Sequence, residues 1–444
     1  MQNLTETRKY FGTDGIRGVY GEDLTDGLAM LVGNSLGLAA AGGTVVIGRD
    51  NRTGGENLAR ALAEGVLAAA GNVVDLGVVT TPCVSFVTKE TGASAGVMVS
   101  ASHNPPRYNG IKVFGPDGRK LAREREALVE KHIADAKLCY AEYRGEVRSA
   151  AGLTESYKSA VCAAAGSLDG LRVVLDCANG AAAYTAPEIF SRLGAEVFPV
   201  FTSHDGALIN EGCGALHPDA VAEEVVRRGA DIGLCFDGDA DRVIAADENG
   251  KTVDGDMTIY ILARKMKAEG RLPCSAAVGT LHTNMGVEAG LAKLGIDLVR
   301  TDIGDHNVIR CMCEAGLALG GEQSGHIILS EFLPTGDGVF AGAKLARALK
   351  ESGKKLSELA DCQVFPQRNA EVATRHKEKI ARDKTLLHYV AAIEDMLGDS
   401  GRIMLRPSGT EKKLRIMAES RDAFLADFAA RSIELFIRTQ FELL

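Results

Sequence analysis

Short apolar runs alternate with helix-period stretches along most of the chain. Thr44-Val45-Val46-Ile47 reads as a strand, residues 57–70 as a helix, and Val73-Val74-Asp75-Leu76 as a second strand. The order recurs at Arg172-Val173-Val174-Leu175, residues 187–193 and Glu196-Val197-Phe198-Pro199-Val200. It recurs again at Ala276-Ala277-Val278, residues 286–294 and Asp297-Leu298-Val299. Strands alternating with helical patterns predict βαβ units and mainly parallel sheets. Spaced copies of one pattern predict three related α/β domains.

From about Asn369 the pattern changes. A strand is followed by a predicted helix over 374–397, strands at Arg402-Ile403-Met404-Leu405 and Leu414-Arg415-Ile416-Met417-Ala418, and a last helix from Asp422. That order fits a smaller α+β domain with an antiparallel sheet. The expected division is 1–150, 151–255, 256–368 and 369–444, the first boundary following a charged helical stretch around 123–148. A length of 444 residues asks for roughly three domains at about 150 residues each, so a multidomain chain is expected.

Lys+Arg 50 against Asp+Glu 59 leave a net charge of -9, which gives no global attraction for nucleic acid or anionic membranes. Phosphorylated ligands would need local positive clusters. The ten cysteines are scattered singly apart from Cys311 and Cys313, and no CxxC pairs with a second, which argues against structural zinc. Residues 1–10 are polar and lack an apolar signal core. The stretch 28–48 is broken by Asn34, Ser35 and glycines and reads as a helix and a strand, not a membrane span. The expectation is a cytoplasmic, soluble, multidomain protein without a nucleic-acid or membrane partner.

Candidate chemistry sits in the breaks after apolar runs. Ser100-Ala101-Ser102-His103-Asn104-Pro105 follows Gly96-Val97-Met98-Val99, and Pro105 with Pro106 bars a helix there. Ser102 therefore lies just past a strand end, where α/β proteins place their chemistry. The plain alternative is a turn whose side chains bond their own backbone. Asp237-Gly238-Asp239-Ala240-Asp241-Arg242 follows Ile232-Gly233-Leu234-Cys235-Phe236. Three carboxylates so close repel one another, and a hard divalent cation relieves this, Mg²⁺ above all where a phosphate completes the shell. A solvated acidic turn stands beside that reading, as does an EF-hand loop over 237–248, which Arg242 at the turn-glycine position and strand-like flanks disfavour. A phosphatase with Asp237 as nucleophile is a third alternative. Gly320-Gly321-Glu322-Gln323-Ser324-Gly325-His326 offers a carboxylate and a hydroxyl suited to sugar hydroxyls, or a simple turn. Arg406-Pro407-Ser408-Gly409-Thr410, with Arg415 on the next strand, is a candidate phosphate cradle between two strands, or a bare turn.

Taken in this order, the runs resemble the α-D-phosphohexomutase superfamily. Phe11-Gly12-Thr13-Asp14-Gly15-Ile16-Arg17-Gly18, Asn109-Gly110-Ile111-Lys112 and Asp176-Cys177-Ala178-Asn179-Gly180 add to the resemblance, which covers essentially the whole chain. It implies four domains around a central cleft: three related α/β domains with mainly parallel mixed sheets, and a smaller C-terminal α+β domain. It implies that Ser102 is phosphorylated and, with Asp237, Asp239 and Asp241, holds one Mg²⁺ per active site. Arg17, His103 and Lys112 then join Ser102 as catalytic groups. Arg242, Glu322, Ser324 and His326 meet the sugar phosphate, while Arg406, Ser408, Gly409, Thr410 and Arg415 hold the phosphate that is not reacting.

The implied reaction is phosphoryl transfer from Ser102 to a 6-phosphosugar, through a 1,6-bisphosphate that is intermediate and activator. Gln323 and the opening signature lean towards the branch that interconverts glucosamine 6-phosphate and glucosamine 1-phosphate for UDP-N-acetylglucosamine and cell-wall synthesis. The phosphomannomutase/phosphoglucomutase branch is the alternative, because three places depart from the pattern: His306 after Gly304-Asp305, Lys412 after Glu411, and Cys213-Gly214-Ala215-Leu216-His217.

Overall fold

The apolar runs become the buried strands of four sheets in a computed structural model that describes residues 9–12, 14–408 and 411–441. The first sheet contains β1 (Ile16–Val19), β2 (Thr44–Arg49), β3 (Asn72–Val78), β4 (Ala95–Val99), β5 (Tyr108–Phe114) and β6 (Val147–Arg148), in the order β1-β5-β4-β2-β3-β6. The second contains β7 (Arg172–Asp176), β8 (Glu196–Val200), β9 (Ile232–Phe236), β10 (Val243–Ala246) and β11 (Thr252–Val253), in the order β11-β10-β9-β7-β8. The third contains β12 (Ala276–Thr280), β13 (Asp297–Thr301), β14 (Leu319–Gly321) and β15 (Ile327–Leu329), in the order β13-β12-β14-β15. The fourth contains β16 (Gln367–Ala373), β17 (Gly401–Pro407) and β18 (Lys413–Ser420), with β18 central and both pairings antiparallel.

One topology is written three times. The trios β4-β2-β3, β9-β7-β8 and β14-β12-β13 are each parallel. Beside the outer strand of each lies an antiparallel partner, β5 next to β4, β10 next to β9 and β15 next to β14. The loop joining each such pair leaves the carboxyl end of a parallel strand, the place where open α/β sheets carry ligands. Those three loops are the serine, aspartate and Glu322 runs. Strands β4, β9 and β12 are buried at all five positions, which is why their sequences are continuous apolar runs and not alternating ones.

The helices pack closely where glycine permits it. Helix Asp26–Ala40 crosses helix Gly55–Ala68 with Gly33 and Gly65 at the contact. A Cβ on Gly33 would lie 2.0 Å from Leu62 O, and one on Gly65 would lie 2.1 Å from Met30 O, so neither position tolerates a side chain without a backbone shift.

The chain divides into two compact units. The first runs up to His282 and takes in Gly295–Asp361, and it carries the first three sheets. The second is Thr283–Leu294 with the chain from Cys362 onwards. Its core gathers Val372 and Ile416 of the sheet with Leu386, Ile393 and Ile433 of the two helices Lys384–Leu397 and Ala423–Gln440. Helix Met285–Lys293, which connects β12 to β13, belongs to this second unit. Asn284 Nδ2 donates to Phe365 O (2.9 Å) and Asn284 Oδ1 accepts from Phe365 N (2.9 Å). Met285 N donates to Glu419 Oε1 (2.7 Å), and Arg402 Nη2 donates to Thr283 O (2.7 Å).

Two expected elements differ. The helix predicted over 374–397 is two helices, Lys377–Ala381 and Lys384–Leu397. Asp383 separates them, because its side chain accepts from Thr385 N and Leu386 N and so starts a new helix where its backbone is extended. The charged stretch over 123–148 is helical only as far as Asp135. Ala136 then turns left-handed (φ 47°) and closes the helix onto Ile133 O. Beyond it, the chain bonds to the C-terminal end of helix Gly55–Ala68, Ala141 N to Ala68 O and Gly145 N to Leu67 O, before joining the first sheet as β6 beside β3. All ten cysteines are free thiols, and no helix among the described residues is long and apolar enough to cross a membrane.

Candidate active site

The serine loop leaves β4 and is tied back to β5 by Ser100 N donating to Gly110 O (3.0 Å). Ser102 is fully buried with φ 53°, a left-handed conformation that costs a non-glycine residue about 1 kcal/mol and persists only where surroundings enforce it. Here its N–H donates to Ser100 Oγ (2.8 Å), and its carbonyl accepts from Arg52 Nη2 (2.6 Å) and Asn210 Nδ2 (2.9 Å). The hydroxyl that results is aimed at the aspartate loop, donating to Asp237 Oδ2 at 2.5 Å. His103 Nδ1 stands 3.3 Å from the same Oγ. Burial, with Arg242 and Arg17 nearby, pushes the His103 imidazole down to about 3, so it is neutral at physiological pH.

Asp237, Asp239 and Asp241 are all buried, with one carboxylate oxygen of each inside a group spanning 4.8 Å. Lys112 on β5 reaches this loop and donates to Asp239 Oδ2 and Asp241 Oδ2, both at 2.7 Å. Burial disfavours the ammonium, yet Asp14, Asp239 and Asp241 outweigh it and hold Lys112 well above its ordinary value. Asp241 is correspondingly held well below the carboxylate range by Lys112 and His326, against burial. Asp237 goes the other way. Burial and the charges of Asp241 and Asp239 push it well up, with Arg242 and Lys112 too weak to offset them. The cluster is therefore short of positive charge on its Asp237 side.

A divalent cation fits that deficit. Asp239 Oδ1 and Asp241 Oδ1 are buried without a hydrogen-bond partner among the described residues, Asp241 Oδ1 having His326 Nδ1 at 3.7 Å and Arg242 Nε at 3.9 Å. Lys112 and Thr81 Oγ1 (2.5 Å from Asp239 Oδ2) occupy the other oxygens, which leaves these two available to a hard ion.

The third loop completes the surroundings. His326 is buried between Asp241 and Asp305, whose Oδ2 lies 3.6 Å from Nε2. Gly336 N donates to His326 Nε2 (3.1 Å), which places the ring proton on Nδ1, facing Asp241. Burial opposes the imidazolium, but Asp241 and Asp305 raise His326 above its ordinary value. Glu322 Oε1 accepts from Gly304 N (3.1 Å), and its charge is among those that raise Arg242 against burial. Ser324 is exposed on the same loop. Arg17 Nη1 donates to Asn104 Oδ1 (2.9 Å), and Arg17 also pairs with Asp14. The structure thus brings Ser102, His103, Arg17, Lys112, the three aspartates, Arg242, Glu322 and His326 into one neighbourhood.

The phosphate-cradle loop belongs to the second unit. Arg406 and Arg415 are cross-strand partners on β17 and β18. Burial and the neighbouring Arg415 charge lower Arg406, as expected of two cations side by side. Arg415 Nη2 donates to Glu411 Oε2 (2.6 Å), Ser408 Oγ accepts from Glu411 N (3.2 Å), and Lys377 Nζ donates to Ser408 O and Glu411 O. Gly409 and Thr410, also expected there, lie outside the described residues, as does Thr13 of the opening signature.

Sequence reading missed several members of the site. Asp14 pairs with Lys120 as well as Arg17, and Lys120 pairs with Asp305, so a line of alternating charges joins the first and third loops. Asp14 lay inside a quoted signature without a role. Lys120, Asp305 and Thr81 carry no local signal, since their partners are distant in sequence. His306 stands apart from that line: its Nε2 is 3.1 Å from Arg123 Nη2, and it lines a small cavity with Gly15, Lys112 and Lys120.

The chain matches four domain descriptions in sequence order. They are phosphoglucomutase/phosphomannomutase alpha/beta/alpha domain I (residues 8–138), domain II (152–250), domain III (254–365) and the C-terminal domain (368–432). The chain belongs to the phosphoglucomutase/phosphomannomutase family, whose members are phosphohexomutases. Within that family it is similar to the phosphoglucosamine mutase of Carboxydothermus hydrogenoformans, with 43% identity over 94% of this chain and 97% of the relative. It is 41% identical to the phosphoglucosamine mutase of Bacillus subtilis over 97% of this chain and 99% of that one. A phosphoglucomutase/phosphomannomutase family protein from Burkholderia thailandensis shares the fold, with a TM-score of 0.83 at 24% identity over 97% of both chains.

Proposed function

We propose that the chain interconverts glucosamine 6-phosphate and glucosamine 1-phosphate, the activity named for its relatives at 40–43% identity. The observation that carries the reading is Ser102, a buried hydroxyl held left-handed with its Oγ 2.5 Å from one of three clustered aspartates. In this reading Ser102 carries a phosphoryl group. Its P–O bond breaks as a bond forms to the free sugar hydroxyl, giving a 1,6-bisphosphate. The bisphosphate turns over in the site and returns its other phosphoryl group to Ser102.

Each residue has a part in that exchange. Asp237, Asp239 and Asp241, with the Ser102 phosphate, would hold Mg²⁺, which supplies charge neutralisation at the transferring group. Lys112 fixes the two carboxylates it touches and adds positive charge beside them. Neutral His103, with Nδ1 3.3 Å from Ser102 Oγ, can take the proton of a hydroxyl attacking there and return it in the reverse transfer. Arg17 and Arg242 add charge around the same oxygen atoms, and Glu322, Ser324 and His326 meet the sugar. Arg406, Ser408 and Arg415 hold the distal phosphate, with Gly409 and Thr410 of the same loop. The chain would divide into its four domains near 150, 255 and 368. The enzyme would act in the cytoplasm, as monomer or homodimer, with neither nucleic acid nor membrane as partner.

Coupled assays with glucosamine, glucose and mannose phosphates test the sugar. Equal or better turnover of mannose phosphate overturns the glucosamine reading in favour of a phosphomannomutase/phosphoglucomutase. The covalent step has its own test. An acid-stable phosphate on Ser102 that Ser102→Ala removes supports the mutase, while a hydroxylamine-sensitive phosphate on Asp237 replaces it with an aspartate-nucleophile phosphatase.

A further inference from the structure

Arg52 has no place in the chemistry described so far, yet every N–H of its guanidinium is engaged. The side chain is fully buried in the turn after β2. Nε donates to Asp50 Oδ2 (3.0 Å). Nη1 donates to Pro105 O (2.8 Å) and Tyr108 O (3.0 Å), and Nη2 to Ser102 O (2.6 Å) and Asn104 O (2.8 Å). A guanidinium has five donors in a fixed planar fork. All five are used, four of them on carbonyls of the loop that carries Ser102 and of Tyr108, where that loop enters β5.

The counter-ion reaches the same residue from the other side. Asp50 Oδ2 accepts from Ser100 Oγ (2.6 Å), and Ser100 Oγ accepts the N–H of Ser102 (2.8 Å). The Arg52–Asp50 pair therefore grips Ser102 at both of its peptide groups, directly at the carbonyl and through Ser100 at the amide. Those two peptide groups flank the left-handed φ that directs Oγ to Asp237.

We propose that Arg52, with Asp50 and Ser100, is the positioning device for Ser102 Oγ in phosphoryl transfer. The proposal rests on the phosphoserine reading above. In-line transfer tolerates little displacement, and a misplacement of about 1 Å costs roughly a hundredfold in rate. A loop gripped through carbonyls in a planar array holds its direction when its serine gains and loses about two negative charges each cycle. Lysine keeps the charge of Arg52 but presents three donors at one point, so it cannot hold four carbonyls spread along the loop.

Arg52→Lys and Ser100→Ala test this in the full-length enzyme, with kcat, KM for glucosamine 6-phosphate, melting temperature and the phosphorylated fraction of Ser102 measured together. Arg52→Lys is expected to stay folded, lose about a hundredfold in kcat per phosphorylated enzyme, and keep KM within about threefold. Ser100→Ala, which removes a single relay atom, is expected to lose about tenfold in kcat at unchanged KM. A purely structural role lowers melting temperature and active fraction but leaves kcat per phosphorylated enzyme at the wild-type value, and that result overturns the proposal. If Arg52→Lys does not fold, Ser100→Ala decides alone, with kcat within twofold of wild type as the overturning result. Absence of both phosphoserine and mutase turnover in the wild type overturns the reading of the site, and the proposal with it. Normal wild-type turnover with unimpaired variants overturns the positioning role only.

Discussion

Lys112 Nζ lies 2.7 Å from Asp239 Oδ2, and both side chains are buried. The same ammonium is 2.7 Å from Asp241 Oδ2. Lys112 is thus a fixed cation inside the acidic cluster: it orients two of the three carboxylates and helps hold Asp241 ionised. Chelation should therefore stop turnover without unfolding the enzyme.

Lys112→Met sharpens that point. Removing one partner of a buried pair costs about 3–5 kcal/mol, because the other charge stays behind unpaired. The variant should melt well below wild type in EDTA and be essentially inactive. Mg²⁺ should raise its melting temperature by more than it raises that of wild type, since the ion then relieves a larger charge imbalance. Equal Mg²⁺ shifts in the two proteins, measured by thermal melts, would count against the cation site at these aspartates.

Gly255 tests the third loop by volume alone. A Cβ there would lie 2.0 Å from Glu322 O and 2.8 Å from Gly325 N. Gly255→Ala should push the Glu322 loop away, raising KM for the phosphosugar at least tenfold, on the order expected for a displacement near 1 Å. The Ser102 phosphorylation level, read by intact mass, should remain that of wild type. A KM unchanged within twofold would remove Glu322 from the sugar site.

Arg406→Gln addresses the second unit. Its guanidinium is lowered by burial and by Arg415 beside it, an arrangement that an arriving phosphate relieves. KM should rise about ten- to a hundredfold while phosphoserine formation on Ser102 persists. Loss of phosphoserine with KM intact would assign Arg406 to the reacting end instead.

Asp337 gives a pH signature separate from catalysis. It caps helix Gly338–Ser352 by accepting from Phe340 N (2.9 Å), and Tyr157 OH donates to both of its oxygens (3.0 and 3.1 Å). Burial raises its carboxyl from 3.8 to about 7. Between these values the folded protein holds a proton that the unfolded chain has released, so stability falls as pH rises through that window and levels off above it. Asp337→Asn keeps an oxygen for Phe340 N–H and for Tyr157 but cannot ionise. Its stability relative to wild type should grow from pH 5 to pH 8, by up to about 2.7 kcal/mol for the roughly two units between pH 5 and the folded value, at about 1.36 kcal/mol per unit. A difference that is the same at both pH values, by urea or thermal melts, would refute the assignment.

The sequence made the repeated strand order and the loop chemistry readable for the same reason. Buried parallel strands must be continuous apolar runs, so the polar loops after Val99, Phe236 and Gly321 stand out against them. Arg52, Thr81 and Lys120 were not readable, because each acts on residues far away in the chain: Arg52 on Ser102, Thr81 on Asp239, Lys120 on Asp305. Asp383 misled the helix reading in another way. Apolar periodicity runs across it, but its side chain bonds to the backbone ahead and begins a second helix.

The placement of helix Met285–Lys293 in the second unit has a consequence for how this chain can be cut. Truncation at Asp361 would strip the Phe365, Arg402 and Glu419 partners from Asn284, Thr283 and Met285. The C-terminal domain is therefore not an appendage that evolution or an engineer can delete or exchange as a cassette. It is spliced into the third domain's own crossover, and any transplant must carry residues 283–294 along with it.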